Sequence, residues 1–347
     1  MAEAVPLRQR AAPVLGALTP HPHRGDLIAA GAVPLTLGVA LVNARLDAEW
    51  GTGIFLVLSG LACALVLGMG LLARSEGGRP RAYHEALLLA GLALLLIALL
   101  RLAQVLGVED PLSAAGTTTW VFGALALLAG WLARTRRSAI CAFVAALTGI
   151  VAVLSFVRWA FDPDSATTWR WVLLAIAIGL VLAALSQRER RRRESVYLVD
   201  AAGIAVLLLA LSFLADLISP LTFVGAPPGG PGGGWELVML AAGLGLLAYS
   251  GVDREPGPGY LGVLVLLLFV LYAGIPGAEG ASLWFWPLAL LLAGGAMVAA
   301  GLRPRRPLPP EPGAERAPGE PLPGPGAPER SSSSLWSERT RDDAPPS

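Results

Sequence analysis

The sequence has no lysine, only three histidines and two cysteines, and few charged residues of either sign. All 26 residues counted as Lys+Arg are arginine, a bias that we interpret as the codon supply of a GC-rich bacterial genome. Cys63 and Cys141 lie inside apolar runs, where a thiol behaves as a small hydrophobic group, so no disulfide framework is expected. His21 and His23 have no third metal ligand near them in the sequence, and the three histidines do not assemble into a Ser/His/Asp or Cys/His catalytic set. We therefore expect no metal, no cofactor and no enzymatic activity.

The low charge content excludes an ordinary soluble domain. Charged residues make up 15% of the chain and hydrophobic residues 55%, and the mean hydropathy is +0.63. Soluble domains carry roughly 25% charged residues. The net charge of +1 gives no reason to expect nucleic-acid binding. The lipid bilayer is the expected partner.

Long apolar runs dominate the chain between residues 27 and 302. A helix needs about 17 to 25 apolar residues to cross the hydrocarbon core of a bilayer, where its backbone groups must be hydrogen-bonded within the segment. Runs of suitable length occupy residues 27–44, 52–73, 85–105, 117–133, 138–160, 169–186, 196–218, 235–251, 259–275 and 282–302. The sequence thus predicts an all-α transmembrane bundle of about ten helices.

An arginine cluster between the sixth and seventh runs sets the predicted orientation. It consists of Arg188, Arg190, Arg191, Arg192 and Arg193. Arginine-rich loops stay on the cytoplasmic side, and most other loop arginines fall on the same side when the runs alternate. We therefore expect a multi-pass protein of the cytoplasmic membrane with both termini inside. Residues 1–26 resemble the start of a signal peptide, but their length favours a cytoplasmic segment before a retained first helix.

The ten runs group into five hairpins, and the second helix of each begins near tryptophan and ends at arginine. Segments 110–120 and 162–169 share Asp-Pro, Ser-Ala and Thr-Thr-Trp in that order. Serine or threonine is expected to cap the outgoing helix, and tryptophan to anchor it at the interface. This similarity between the two segments, which we call the echoing segments, is explained either by duplication of a hairpin or by the residue preferences of helix ends at the membrane interface.

Two stretches are rich in proline and glycine rather than apolar residues. Residues 303–347 are predicted to be a disordered cytoplasmic tail, because they have too little apolar surface to fold alone. Within the tail, residues 306–312 resemble a polyproline ligand. The tail is therefore interpreted either as a partner-binding segment or as an inert solubilising segment. Residues 220–234 are predicted to form a mobile external linker.

Few polar residues lie within the spans. Asp200 is about one turn inside the seventh run, and such a carboxylate indicates either a functional site or a partner for a nearby arginine. Arg101 and Arg158 lie near the outer ends of their helices and are interpreted as an outward-facing site with Asp216 or Glu236, or as side chains that snorkel to the headgroups. If Asp200, Arg101 and Arg158 point into one polar cavity, the functional-site interpretation is favoured over snorkelling.

Two further features concern helix geometry. Pro34 is central in the first run and is expected to kink it, a feature that some transporters use at their substrate site. Small residues in the second and fourth runs are expected to allow close helix approach. They are Gly60, Ala64, Gly68, Gly123 and Gly130.

Two functions fit this pattern. The scarcity of central charges, the small-residue faces and the proline-rich tail favour a non-enzymatic membrane scaffold or accessory subunit. Ten spans with both ends inside resemble the architecture of drug/metabolite transporters, which implies a secondary transporter of a small solute as the alternative. We favour the scaffold, because spans without central polar residues offer a solute little to bind.

Overall fold

A computed structural model describes residues 25–45, 51–73, 82–222, 233–273 and the single residue Gly295, without side-chain detail for residues 215–222. Within these ranges every regular element is a helix and no strand occurs. In chain order they are α1 (Gly25–Arg45), α2 (Thr52–Leu72), α3 (Ala82–Val105), α4 (Ala115–Arg136), α5 (Ala139–Phe161), α6 (Ala166–Gln187), α7 (Arg192–Thr222), α8 (Gly233–Asp253) and α9 (Pro256–Ala273). Residues 1–24, the predicted tenth span and the tail lie outside the description, as do residues 223–232 of the predicted linker.

The helices have the length and surface of membrane spans. Helices α1 to α8 are long and apolar enough to cross a bilayer, whereas α9 is apolar but shorter. Large apolar side chains lie on the outer surface, such as Leu127, which is 78% exposed, and Leu61, which is 67% exposed. Lipid solvates such side chains at no cost, whereas water does not. The prediction of an all-helical, multi-pass membrane protein is confirmed at this level.

Most helices begin a few residues before the apolar run that predicted them, because the first turn of a helix tolerates polar residues. Serine side chains accept hydrogen bonds from the free N–H groups of two such turns. Ser138 Oγ accepts from the backbone N–H of Cys141 at 3.3 Å, and Ser165 Oγ accepts from that of Thr168 at 3.2 Å. The serine cap predicted for the second echoing segment is therefore present.

The first echoing segment begins its helix differently. Ala114 occupies the N-cap of α4, where no side chain caps the helix. Thr118 Oγ1 instead donates to the carbonyl oxygens of Pro111 and Ala114, at 3.2 and 3.0 Å. Similar residues thus start α4 and α6 through different hydrogen bonds. The shared order of residue types does not produce the same turn.

The helix pairs in closest contact differ from the five predicted hairpins. Each pair joins the second helix of one predicted hairpin to the first helix of the next. The most extensive contacts join α2 to α3, α4 to α5, α6 to α7, and α8 to α9. Three of these pairs are linked by the short connections 137–138, 188–191 and 254–255. We call the end of the bundle that carries these connections the arginine end. Short loops keep antiparallel neighbours in contact, which explains why pairs joined there pack most closely.

The close helix contacts lie at other glycines than those singled out in the sequence. A Cβ added to Gly60, Gly68 or Gly123 would meet no atom within 4 Å, and one added to Gly130 would lie an ordinary 3.9 Å from Ala145. Ala64 is exposed. By contrast, a Cβ on Gly262 of α9 would lie 2.8 Å from the carbonyl oxygen of Gly243 on α8. Among the described helices, only Gly130 of these glycines therefore faces a neighbour at contact distance, because spacing along a helix does not show which face meets a neighbour.

Candidate functional site

The arginine end is held together by ion pairs centred on Asp253, the last residue of α8. Arg188 and Arg192 each place an Nη2 atom 3.1 Å from Asp253 Oδ1. The Asp253 side chain is 3% exposed, whereas those of Arg188 and Arg192 are 39% and 63% exposed. The connection 188–191, which we call the arginine loop, and the first residue of α7 therefore hold the end of α8 in place.

Arg191 and Ser195 add further links at the same end. Arg191 Nη1 lies 3.1 Å from both carboxylate oxygens of Glu194, which is buried. Ser195 Oγ donates to the carbonyl oxygen of Ala184 on α6 at 2.9 Å. The arginine–carboxylate pair, in which one nitrogen is shared by both oxygens, and the buried interhelical hydrogen bond both restrict the turn between α6 and α7. Three arginines predicted as topology anchors thus also have defined partners.

Asp200 lies against the start of α9. A Cβ added to Gly257 would lie 2.6 Å from Asp200 Oδ1 and 2.9 Å from Oδ2, so a larger residue at this position would displace the carboxylate. Asp200 Oδ1 is buried and has no hydrogen-bond partner among the described residues. A buried oxygen that lacks a donor is costly, and such groups call for a ligand, water or functional role. Among the described residues this oxygen has no arginine partner, which was the simpler of the two interpretations.

A cavity of about 900 Å³ lies at the arginine end and includes Asp200 in its wall. Five arginines line it, Arg137 and Arg190 to Arg193, together with the carboxylates of Glu85, Glu194, Asp200 and Glu255. These residues come from α3, α7 and three connections or helix ends that are distant in sequence. The cavity therefore exists only in the folded bundle, and it can bind a ligand that presents both a negative and a positive group.

Arg101 has a different environment, near the end of α3. Its Nε donates to Asn43 Oδ1 at 2.8 Å, and its Nη2 donates to the Asn43 carbonyl oxygen at 2.9 Å. The guanidinium also lies 5.1 Å from the ring centroid of Phe55. Arg101 thus joins the ends of α1 and α3 and lies over the start of α2. These contacts are at the end opposite Asp200.

The remaining candidates are not gathered into one described site. Arg158, near the end of α5, is exposed. Asp216 lies on α7, but its side chain is outside the description. Pro34 is an exposed residue within α1, which runs unbroken from Gly25 to Arg45. A common polar cavity for Asp200, Arg101 and Arg158 is therefore not among the described arrangements.

Arg170 was not singled out in the sequence, yet it is buried. Its Nε donates to Ser212 Oγ on α7 at 3.2 Å, and its guanidinium lies 3.8 Å from the ring centroid of Phe213. Trp171 and Trp235 extend this aromatic cluster, with ring centroids 4.9 Å apart. The only local signal was an arginine between two tryptophans, Trp169 and Trp171. That pattern is also expected at any membrane interface.

Comparisons with protein-family models, with curated proteins and with solved structures give no match to this chain. Within the described ranges, no group of three or more His, Cys, Asp or Glu side chains is placed to hold a metal ion. The charged cavity at the arginine end is thus the best-defined candidate site.

Proposed function

We propose that this protein is a non-enzymatic scaffold or accessory subunit of the cytoplasmic membrane, with the arginine end and both termini in the cytoplasm. The observation that supports this function most directly concerns the end of the bundle opposite the arginine end. There, arginine side chains hydrogen-bond to neighbouring helices. Arg101 hydrogen-bonds to Asn43 of a neighbouring helix, and Arg170 to Ser212. Both residues fasten helices together, as expected for a rigid bundle. Ten spans, with the last at 282–302, agree with this orientation.

An outward small-residue face on α2 offers a place for a partner helix. Gly60 and Gly68 have space for a Cβ, and Ala64 between them is exposed. Small residues at this spacing allow the backbone of a second helix to approach closely in lipid. The proline-rich residues 303–347 supply a second contact, on the cytoplasmic side.

Crosslinking in native membranes, followed by purification and mass spectrometry, tests the scaffold function. The full chain is expected to retain a defined protein partner that is reduced by deletion of residues 303–347 and by Ala64→Leu. Ala124→Leu is the matched control, because Ala124 is an exposed alanine of α4 away from this face. A partner that is unaffected by both changes, or the absence of any crosslinked partner, would contradict the proposal.

A secondary transporter of a small solute is the second candidate, favoured by one observation. Asp200 lines a cavity of about 900 Å³ and has a buried oxygen without a described partner. Proton-coupled carriers use such carboxylates. The ten-span topology that resembles drug/metabolite transporters agrees with this reading.

Thiol accessibility separates the two functions. Single cysteines replace Asp200, Arg101, Arg158 and Pro34 in a Cys63→Ala, Cys141→Ala background, and a membrane-impermeant reagent is added from each side. A scaffold with a closed bundle should label position 200 from the arginine side alone. Labelling of position 200 from both sides would show an alternating pathway and would favour the transporter.

A further inference from the structure

The charges of the cavity at the arginine end are only partly neutralised by one another. Glu194 is held by Arg191, and Arg192 is held by Asp253, which does not line the cavity. These pairs leave three lining arginines and three lining carboxylates to account for. They are Arg137, Arg190, Arg193, Glu85, Asp200 and Glu255.

The three remaining arginines are available to an anion. Arg137, Arg190 and Arg193 are exposed, and none of their guanidinium groups forms an ion pair or a side-chain hydrogen bond with the described residues. They come from two separate connections, 137–138 and 188–191, and from the start of α7. Guanidinium groups bind phosphate oxygens in a bidentate manner and stay charged at any physiological pH. Phosphate is therefore the anion that they fit best.

The carboxylates indicate that the ligand also carries a hydrogen-bond donor. Asp200 lines the cavity, its Oδ1 is buried and lacks a partner in the described part of the chain, and Gly257 packs directly against this carboxylate. A simple phosphate would meet repulsion from Asp200, Glu85 and Glu255. A primary ammonium group beside the phosphate removes that repulsion and supplies the N–H that Asp200 lacks.

The depth of the cavity points to a lipid as the source of these two groups. Its lining includes Glu85, Ala139 and Val196, which lie in the first turns of the candidate spans Ala82–Val105, Ala139–Phe161 and Arg192–Leu214. The first turns of spans lie at the level of the lipid headgroups. Basic pockets between helices on the cytoplasmic side are suited to phosphate headgroups.

We infer that this cavity binds the headgroup of an aminophospholipid, with the phosphate on Arg137, Arg190 and Arg193 and the primary ammonium group on Asp200. Glu255, two residues before Gly257, adds negative charge beside the ammonium group. The site does not depend on whether the protein is a scaffold or a transporter, since neither function requires a bound lipid.

Lipid competition on the full-length protein tests this assignment. The purified protein is incubated with equal amounts of phosphatidylethanolamine, phosphatidylcholine and phosphatidylglycerol with identical acyl chains, and the retained lipid is counted by native mass spectrometry. Phosphatidylcholine keeps the phosphate and the positive charge but has no N–H, and phosphatidylglycerol has the phosphate without a cation. Phosphatidylethanolamine should be retained above both. Equal retention of phosphatidylethanolamine and phosphatidylcholine would overturn the ammonium assignment.

Variants separate the two halves of the headgroup. Asp200→Asn should reduce the preference for phosphatidylethanolamine over phosphatidylcholine by roughly tenfold, the effect of one charge-assisted hydrogen bond. Glu189→Gln is its control, because Glu189 is an exposed carboxylate of the connection 188–191 that does not line the cavity. The double variant Arg190→Gln, Arg193→Gln should weaken all three lipids alike, since all share the phosphate. Its control is Arg134→Gln, Arg254→Gln, which removes two exposed arginines outside the lining.

Two additional arms complete the test. Gly257→Ala keeps every charge but places a Cβ against Asp200, so it should reduce the same preference as Asp200→Asn if the carboxylate binds the lipid. An unchanged preference in both variants, each eluting as a single folded species, would overturn the role of Asp200.

Soluble phosphoethanolamine should compete with phosphatidylethanolamine only weakly, because it lacks acyl chains. Binding of the soluble compound as tight as that of the lipid would overturn the lipid as its source.

Discussion

At the scale of single residues, three arginines near the same end of the bundle have three different environments. Arg101 is bound to Asn43 on another helix, Arg170 is buried against Ser212 and Phe213, and Arg158 is exposed. Residue type and distance from the helix end are similar in all three cases. Their neighbours decide whether the guanidinium group fastens helices or reaches toward the headgroups.

Replacing Arg101 should therefore destabilise the protein more than replacing Arg158. Arg101→Gln removes two charged hydrogen bonds to Asn43, and we expect a loss of about 1–3 kcal/mol in the free energy of unfolding. Arg158→Gln is the matched control and should change it by less than about 0.5 kcal/mol. Unfolding by denaturant in detergent micelles, followed by tryptophan fluorescence, measures both. Equal stability of the two variants would show that the Asn43 contact contributes nothing.

At the scale of elements, α8 and α9 approach each other through glycine on both sides. A Cβ on Gly262 would lie 2.8 Å from the Gly243 carbonyl oxygen and 3.1 Å from the Cβ of Leu246. The nearest atom belongs to backbone, so the helices would have to move apart to make room. In lipid, where helix association depends on packing, this close approach contributes to the attraction between the two helices.

Gly262→Ala should therefore separate α8 from α9 and lower stability by about 1–3 kcal/mol, the usual cost of overpacking. Gly245→Ala on α8 is the control, since its Cβ would meet no atom within 4 Å. The control should be neutral or stabilising by up to about 1 kcal/mol, because alanine favours a helix over glycine. Thermal unfolding of both variants in the same detergent decides between these outcomes. A Gly262→Ala variant as stable as the control would refute the close contact.

At the scale of the whole molecule, the arginines divide the bundle into two unlike ends. The arginine end carries the ion pairs of Asp253 and the charged cavity, whereas the opposite end carries Arg101, Arg170 and an aromatic cluster. Positive residues are retained in the cytoplasm during insertion, so this asymmetry predicts one orientation in the membrane.

Cysteine labelling in intact cells tests that orientation. In a Cys63→Ala, Cys141→Ala background, Ser113→Cys in the exposed connection between α3 and α4 should react with an impermeant reagent added outside. Glu189→Cys in the arginine loop should react only after the cells are made permeable. Both residues are exposed in the fold, so access to the side chain is matched. The reverse labelling pattern would place the arginine end outside.

The sequence by itself determined the class of protein, the existence of the described helices and the uneven distribution of arginine. These follow from local composition, because each span must satisfy its own backbone and match the bilayer wherever it packs. The prediction of Asp200 as a candidate also rested on local depth alone.

The tertiary structure decided which residues meet. It paired helices across the arginine end, placed Gly243 against Gly262 rather than using Gly60 or Gly123, and set Asp200 opposite Gly257 in a charged cavity. These contacts depend on how far each helix is rotated about its axis and on which helix lies beside it. Apolar side chains surround nearly the whole circumference of these spans, because contact with lipid and contact with a neighbouring helix favour the same residue types. Hydrophobic periodicity therefore carries little information about the inward face, and only packing in three dimensions supplies it.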